Sequence, residues 1–296
     1  MKKIKGSLSK PEPTSLIAIA AISLCVLLPL RVYQATTLIE PDTGFYSESN
    51  ITIPLFYIIG AVVIVALMLL SFLSDKSTRA RNCVAKSKAL GIVSGFTALS
   101  IMYSSIMSFL EFMQIHGEYS SPIHEKGMLS YLTQSGAAAL MLEAVFGVIS
   151  AFFFWIYTVS CFNKSAKLSS FTILSAAPTL WAICRIVFRF VEKISFVNRS
   201  DLLLELIMLV FLIMFMLAFA QVVTGSSPEI SAWRLFGCGL PAAIVAFLIS
   251  VPRIFLFLIG HSDLIVEGYG FDICDFALAI FIPAFLYSTS TAKKHE

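Results

Sequence analysis

Long runs of apolar residues alternate along this chain with short polar segments. Eight of these runs reach about 20 residues, the length that an α-helix needs to cross a hydrocarbon core of roughly 30 Å. They lie at about 15–34, 52–73, 90–113, 136–160, 170–191, 202–222, 235–259 and 271–289. Strands of a membrane β-barrel alternate apolar and polar positions, whereas a run such as Leu202–Ala220 is continuous. The pattern predicts an all-α bundle of about eight transmembrane helices.

Composition narrows the class of protein further. Apolar residues make up 58% of the 296 positions, charged residues only 13%, and the mean hydropathy is +0.87. A soluble domain is nearer to a quarter charged, and it could not bury the 26 phenylalanines while keeping a polar exterior. These values exclude a soluble enzyme, a soluble nucleic-acid-binding protein and a disordered chain. We therefore expect a multi-pass integral membrane protein.

The first apolar run follows a basic segment, as it does in a secretory signal peptide. The run continues to Leu30, which is longer than the apolar part of a usual signal, and no small-residue cleavage site follows it. We interpret it as a retained helix. The predicted organisation is a cytoplasmic N-terminal segment at 1–14, one transmembrane domain at 15–289, and a cytoplasmic tail at 290–296.

The orientation follows from the distribution of lysine and arginine. With the N-terminus inside, the inner segments carry fourteen of these residues and the outer loops carry three. Basic residues concentrate on the cytoplasmic side of membrane proteins, so we expect both termini in the cytoplasm and the chain in the cell membrane. The basic inner face would contact anionic lipid of the bilayer. Because its charges lie on short loops, no nucleic-acid partner is expected.

Nine charged residues lie within the predicted spans. All nine fall in the outer half of the membrane, because they lie late in outward-running helices and early in inward-running ones. Charges in lipid are costly and usually face a bundle interior or water. The nine residues are Arg31, Glu111, Glu143, Arg185, Arg189, Glu205, Arg253, Asp272 and Asp275.

Helical spacing indicates where these charges point. Arg185 and Arg189 share one face at i and i+4, and Asp272 and Asp275 share another at i and i+3. The third helix carries a polar stripe of Thr97, Ser104, Ser108 and Glu111, and the fourth carries a mainly small stripe of Gly136, Leu140, Glu143, Gly147 and Ser150. These faces predict a charged pocket that opens outward. The candidate ligand-binding residues are Arg185, Arg189, Glu143, Asp275, Glu111 and Arg253.

Two further features concern the helix ends. Asp201 precedes the sixth apolar run and is expected to cap that helix. Pro29, Pro178 and Pro252 precede arginines in three outward-running helices. This arrangement suggests a hairpin pseudo-repeat, although the third helix lacks it.

Familiar enzyme motifs are absent from the sequence. There is no HExxH, GxSxG or Walker motif, no CxxC, and no close pair of histidines for a metal. We expect no catalytic residue of a known type, no metal and no cofactor. Enzyme activity is disfavoured, and paired carboxylates among Glu111, Glu143 and Asp275 are the remaining route to it.

Two short stretches carry a resemblance. The segment Glu40–Tyr46, after the first span, and the stretch from Trp181 to Ser200 resemble uncharacterised multi-pass membrane proteins of anaerobic Gram-positive bacteria. The resemblance implies an eight-helix protein of a bacterial inner membrane and carries no known activity.

Three functions remain open at this point. The first is a small-solute transporter or solute-binding protein, in which the arginines hold an anionic or zwitterionic solute. The second is an accessory or sensor subunit that does not transport, in which the charges form a structural ion-pair network and a membrane partner subunit supplies the activity. The third is an intramembrane enzyme that uses paired carboxylates.

Overall fold

The structure is a computed structural model that describes residues 12–40, 45–74, 87–119, 136–163, 168–191, 200–226, 232–265 and 272–292. Within these ranges, eight helices are long and apolar enough to cross a membrane, which confirms the predicted all-α bundle. They are α1 (Pro13–Thr37), α2 (Thr52–Leu73), α3 (Lys88–Tyr119), α4 (Ala137–Phe162), α5 (Ala177–Val191), α6 (Ser200–Thr224), α7 (Ala232–Leu258) and α8 (Ile273–Ala292). Most of the two predicted cytoplasmic tails lies outside the described residues.

The start of α5 differs from the sequence prediction of one helix over 170–191. Residues Leu168–Phe171 and Leu174–Ala176 form two short 3₁₀ segments, and the α-helix begins only at Ala177. Pro178 fits this boundary, because proline lacks a backbone N–H and cannot donate the α-helical hydrogen bond back to Leu174, and it is well accommodated in the first turn of a helix. The α-helical part of α5 is therefore short, with 15 residues, and it reaches a membrane-spanning length of 18 residues only together with the 3₁₀ segment that begins at Leu174.

Helix α7 lies at the centre of the bundle. It packs against α1, α2, α6 and α8, while α3 packs between α4 and α8. Of the apolar window of α7, 72% is buried, against 11% for α2, which leaves most of α2 facing outward. The core therefore lies between α7 and the helices α4, α6 and α8, and α2 is a peripheral helix whose apolar surface suits lipid.

Helices α3 and α4 approach each other closely through the predicted stripe of small residues on α4. A Cβ atom added at Gly147 would lie 2.0 Å from the Ser105 hydroxyl oxygen, so only glycine fits there without displacing α3. Gly136 was expected to belong to this stripe within the helix, and that was wrong. It lies at the N-cap of α4 with a φ of 76°, a conformation that glycine adopts without strain.

A layer of seven buried aromatic rings fills the middle of the bundle. Its members come from α4, α6 and α8, and they are Phe153, Phe154, Tyr157, Phe215, Phe219, Phe281 and Phe285. The ring of Phe219 lies at the centre of this aromatic layer, with the other six ring centroids 4.9 to 6.2 Å away. The layer is continuous, well packed and free of charge.

Replacing Phe219 by alanine tests the importance of this packing. We expect Phe219→Ala to lower the free energy of unfolding by about 3–5 kcal/mol, because it leaves a cavity among six rings. The matched control is Phe257→Ala, since the Phe257 side chain is 63% exposed. Thermal unfolding of both variants in detergent checks the expectation. An equal loss of stability in the two variants would show that Phe219 in the aromatic layer contributes no more than an exposed phenylalanine.

Candidate functional site

The embedded charges meet at one end of the bundle, which we call the polar end. Sequential helices run in opposite directions, so the late part of α5 lies beside the early parts of α6 and α8. Ion pairs of Arg185 with Glu205 and with Asp275 join these three helices directly. Arg31 on α1 and Arg253 on α7 likewise pair with Asp201 at the start of α6. The charges thus form two groups, the Arg185 cluster and the Arg31 cluster.

The Arg185 guanidinium is the centre of the first group. Its Nη1 and Nη2 donate to the two Asp275 carboxylate oxygens at 2.8 and 3.1 Å, a bidentate arrangement that fixes both side chains. Nη2 also donates to Glu205 Oε1 at 3.0 Å and lies 3.1 Å from Asp272 Oδ2. Arg185 is only 4% exposed and Asp275 only 1%. Three carboxylates from two helices therefore surround one buried cation.

Two more charged residues complete the Arg185 cluster. Arg189 Nε donates to Glu205 Oε1 at 3.1 Å, so this oxygen accepts from both arginines of α5. Glu143 on α4 is buried, accepts a hydrogen bond of 3.4 Å from the Ser108 hydroxyl on α3, and lies within electrostatic reach of both arginines. The Arg185 cluster thus comprises Arg185, Arg189, Glu143, Glu205, Asp272 and Asp275.

Local helix chemistry positions the members of this cluster. Asp272 immediately precedes α8, and its Oδ1 accepts the backbone N–H of Cys274 at 2.8 Å, which satisfies a donor at the helix start. The other Asp272 oxygen is then directed to Arg185. On α5, Trp181 lies one turn before Arg185, and its ring centroid is 5.9 Å from the guanidinium carbon. The arginine is therefore held by charge on one side and by an aromatic ring on another.

The Arg31 cluster consists of Arg31, Asp201 and Arg253. Arg31 Nη2 donates to Asp201 Oδ1, and Arg253 Nη2 lies 3.6 Å from Asp201 Oδ2, so one carboxylate serves two guanidiniums. Arg31 Nη1 also donates to Gln34 Oε1 and to the Tyr46 hydroxyl, each at 3.4 Å. Arg31 is 2% exposed. Helices α1, α6 and α7 are thereby tied together at the polar end.

A narrow cleft opens at the Arg31 cluster. Arg31, Asp201 and Arg253 form its charged wall, and the volume including its open mouth is about 340 Å³. The interior offers about 20 Å³, room for about one water molecule. The remaining wall is mainly aliphatic and includes Leu248, Ile249, Pro252, Leu256, Leu264 and Ile265. A charged wall thus faces an apolar one.

Helix α6 connects the two clusters. Asp201 and Glu205 are four residues apart, so they occupy one face of the first two turns of α6. Asp201 pairs with the arginines of α1 and α7, and Glu205 pairs with the arginines of α5. A shift of this one helix end would change the ion pairs in both clusters.

The structure brings four of the six candidate residues together and separates the others. Arg185, Arg189, Glu143 and Asp275 belong to one cluster, whereas Arg253 belongs to the other. Glu111 was expected to complete the polar stripe of α3, but it is exposed, whereas Thr97 and Ser108 of that stripe are buried. Within the described ranges, no group of three or more histidine, cysteine and acidic side chains could hold a metal ion.

Sequence reasoning missed Asp201 and Arg31 as site residues. Asp201 was expected to cap α6, but that helix begins one residue earlier, at Ser200, and the carboxylate pairs with two arginines instead. Its position next to a span boundary gave no sign of this role. The signal that could have identified it is charge: two embedded arginines, Arg31 and Arg253, had no acid on their own helices.

The comparisons with known proteins leave the site to be interpreted from its own geometry. No protein-family model matches the sequence, and neither the curated proteins nor the solved structures gave a match. The resemblance suggested by Glu40–Tyr46 falls partly on 41–44, outside the described residues. The two clusters are therefore the features of this chain from which a function can be inferred.

Removing the central arginine tests the Arg185 cluster. We expect Arg185→Ala to lower the free energy of unfolding by about 3–5 kcal/mol, because buried carboxylates would lose their cation. The double variant Arg185→Ala/Asp275→Ala should recover part of that loss, since it removes one of the stranded charges. Glu111→Gln, on an exposed side chain, serves as the control, and thermal unfolding in detergent measures all three. A double variant no more stable than Arg185→Ala would contradict direct coupling of this pair.

Proposed function

We propose that this multi-pass membrane protein binds a small anionic or zwitterionic solute at its polar end, as a transporter or as a solute-binding protein. One observation carries the proposal: in the Arg185 cluster four carboxylates face two guanidiniums, and the two clusters together still hold five carboxylates against four guanidiniums. A buried charge without compensation costs several kcal/mol, so a purely structural network favours balanced pairs. A surplus of carboxylates favours a site that takes up the cationic group of a zwitterion, or a proton together with an anion, while the arginines hold the anionic group.

The position of Glu205 supports this interpretation. Its side chain is 1% exposed, its Oε1 accepts from both arginines of α5, and its Oε2 has no hydrogen-bond partner among the described residues. A buried carboxylate oxygen is a strong acceptor, and leaving it unpaired is costly. Arrival of a donor group of a solute at Oε2 would remove that cost. The cluster is thus suited to receive a cationic, hydrogen-donating group.

The aromatic layer limits how far a solute that enters at the polar end could pass through the bundle. The aromatic residues of α4 and α8 begin ten and six residues beyond Glu143 and Asp275, which is about 15 Å and 9 Å along the helix axes. Their rings pack without a charged residue among them. A solute at the polar end would therefore meet a closed apolar barrier on its way through the bundle. Transport would require rearrangement of this layer, whereas solute binding alone would not.

A second candidate is the accessory or sensor subunit with a structural ion-pair network. The observation that favours it is the complete coordination of Arg185, whose two terminal nitrogens contact three carboxylates. In this alternative the cluster fixes how α5, α6 and α8 pack, and a partner subunit provides the activity. The two proposals differ in what happens when one surplus carboxylate is neutralised.

Neutralising Asp275 distinguishes the proposals. If surplus charge serves solute binding, Asp275→Asn should unfold within a few degrees of the wild-type temperature, because one repulsive charge is removed and the amide oxygen keeps one of the two hydrogen bonds from Arg185. It should also lose the pH dependence of solute-induced stabilisation. The measurement is thermal unfolding at pH 5.5 and 7.5 with a panel of amino acids, carboxylates and amines.

The control for this experiment is Asp263→Asn, since that side chain is 74% exposed outside the clusters. Asp263→Asn should keep the wild-type response to every solute at both pH values. A wild-type protein that no solute stabilises, combined with a strongly destabilised Asp275→Asn, would favour the structural network instead.

A further inference from the structure

Glu143 on α4 differs from the other acids of the two clusters, because within the described ranges no cation pairs with it. We propose that Glu143 binds one proton, and that this proton sets the charge that the Arg185 cluster presents to a solute. The second part of this inference rests on the proposed solute-binding function, whereas the first part does not. The sequence prediction named Glu143 only as a ligand-binding residue.

The contacts of the five acids show the difference. Four of them form an ion pair with an arginine, namely Asp201, Glu205, Asp272 and Asp275. The Glu143 carboxyl forms no ion pair with a described residue, and the hydrogen bond that it accepts from the Ser108 hydroxyl is long, at 3.4 Å. Glu143 is nevertheless only 5% exposed. A buried carboxylate without a cation or strong hydrogen bonds is costly, and the carboxyl becomes neutral by taking up a proton.

The charge balance of the two clusters indicates the same number of protons. Five carboxylates lie with four guanidiniums, which leaves one negative charge in excess. The four acids that form ion pairs already have a cation, so a proton on any of them would weaken such a contact. A proton on Glu143 removes the excess charge and leaves every ion pair intact. Burial favours this balanced state.

The groups around Glu143 carry charges of both signs. Helix α4 packs against α3 and α5, and acids near the starts of α6 and α8 also lie within electrostatic reach. Arg185 and Arg189 attract an ionised Glu143, but both form their ion pairs with other carboxylates. Burial and the neighbouring acids act in the opposite direction and favour the proton. Around Glu143 lie Arg185, Arg189 and Cys184 on α5, Glu205 on α6 and Asp272 before α8, while Glu111 on α3 is exposed.

Water at the polar end supplies the proton. Two members of the Arg185 cluster reach the surface, since the side chains of Arg189 and Asp272 are 20% and 24% exposed. A proton that enters there forms an O–H bond with one oxygen of Glu143, while the other oxygen accepts from the Ser108 hydroxyl. The aromatic layer separates Glu143 from the other end of the bundle. Proton exchange therefore takes place on the side of the polar end.

This proton changes the charge that a solute meets. With Glu143 ionised, the Arg185 cluster holds four carboxylates and two guanidiniums, and it attracts a cation more than an anion. With the proton bound, one negative charge is lost, so an anion is repelled less and a cation is attracted less. Because coupling is reciprocal, an anion that binds strengthens proton binding at Glu143 by the same factor. A zwitterion, whose net charge is zero, should depend little on the proton.

Infrared spectroscopy tests the proton directly. At pH 5.5 the protein in detergent should show the C=O stretching band of a protonated carboxylic acid, and the band should shift in D₂O and weaken at pH 7.5. Glu143→Gln should lose this band, because an amide has no such group. The matched control is Glu111→Gln, which should keep the band, because an exposed glutamate is ionised at both pH values.

Ser108→Ala provides a second variant that retains the carboxyl group. It should move the band to higher frequency, because Oε1, as the carbonyl oxygen of protonated Glu143, loses the hydrogen bond from Ser108. If Glu143→Gln does not fold, this shift identifies the residue that holds the proton. A spectrum without a band that responds to either variant overturns the proton site, whether or not any solute binds.

Probes of fixed charge test the effect of the proton on solute binding. Methanesulfonate is an anion and butylammonium a cation at both pH values. Measured by thermal stabilisation, the wild type should bind methanesulfonate at least about fivefold more tightly at pH 5.5 than at pH 7.5, and butylammonium at least about fivefold more tightly at pH 7.5. Glu143→Gln should bind each probe equally at the two pH values. Glu111→Gln should keep the wild-type dependence on pH.

The outcomes separate this inference from the proposed function. Equal affinities of the wild type at the two pH values, with solute binding present, overturn the effect of the proton on the solute and leave the proposed function in place. Absence of stabilisation by the whole panel of solutes overturns the proposed function and that effect together, and the infrared band then decides the proton site alone. A band that Glu143→Gln leaves unchanged overturns the proton site, even where solutes bind.

Discussion

A guanidinium group removed from water must be matched by carboxylates, and burial of Arg185 imposes this condition on the whole bundle. Its partners come from the next helix, α6, and from α8, which lies 90 residues further along the chain, so three helices must meet at one level for the charge to be satisfied. The Asp272 carboxylate serves this arrangement twice, because it caps α8 and contacts Arg185 with its other oxygen. Apolar packing alone tolerates sliding of one helix along another, whereas these directed contacts do not.

The sequence alone predicts the helices and the end of the bundle at which the embedded charged residues lie. It does not predict which of these residues form ion pairs with each other. Continuous apolar runs predict helices because lipid requires every backbone group to be paired internally. The position of a charged residue within its apolar run gives its depth along the helix. The sequence therefore predicts that Arg185 and Asp275 lie at the same end of the bundle. Partner choice is different, since Arg31 and Asp201 are 170 residues apart and no local pattern links them.

The errors in the sequence prediction have physical causes. Glu111 lies three residues after Ser108, which offsets the two side chains by about 60° around the helix, so Ser108 can face the interior while Glu111 reaches the surface. Pro178 limits where α5 begins, although the apolar run extends well before it. Asp201 lies at the boundary of a span, where hydropathy cannot separate a capping residue from a buried ion-pair partner. The errors at Glu111 and Asp201 concern the direction of a side chain, which is decided by the neighbouring helices, whereas the error at α5 concerns where a helix begins.

The aromatic layer also has an electrical consequence for the two clusters. A tightly packed apolar layer has a low dielectric constant, so most of a voltage across the membrane would fall within it rather than across the polar end. Charges that move only among Arg31, Asp201 and Glu205 would then cross a small fraction of the field. Proton or anion exchange at the polar end would depend weakly on voltage, and only passage through the layer around Phe219 would become electrogenic.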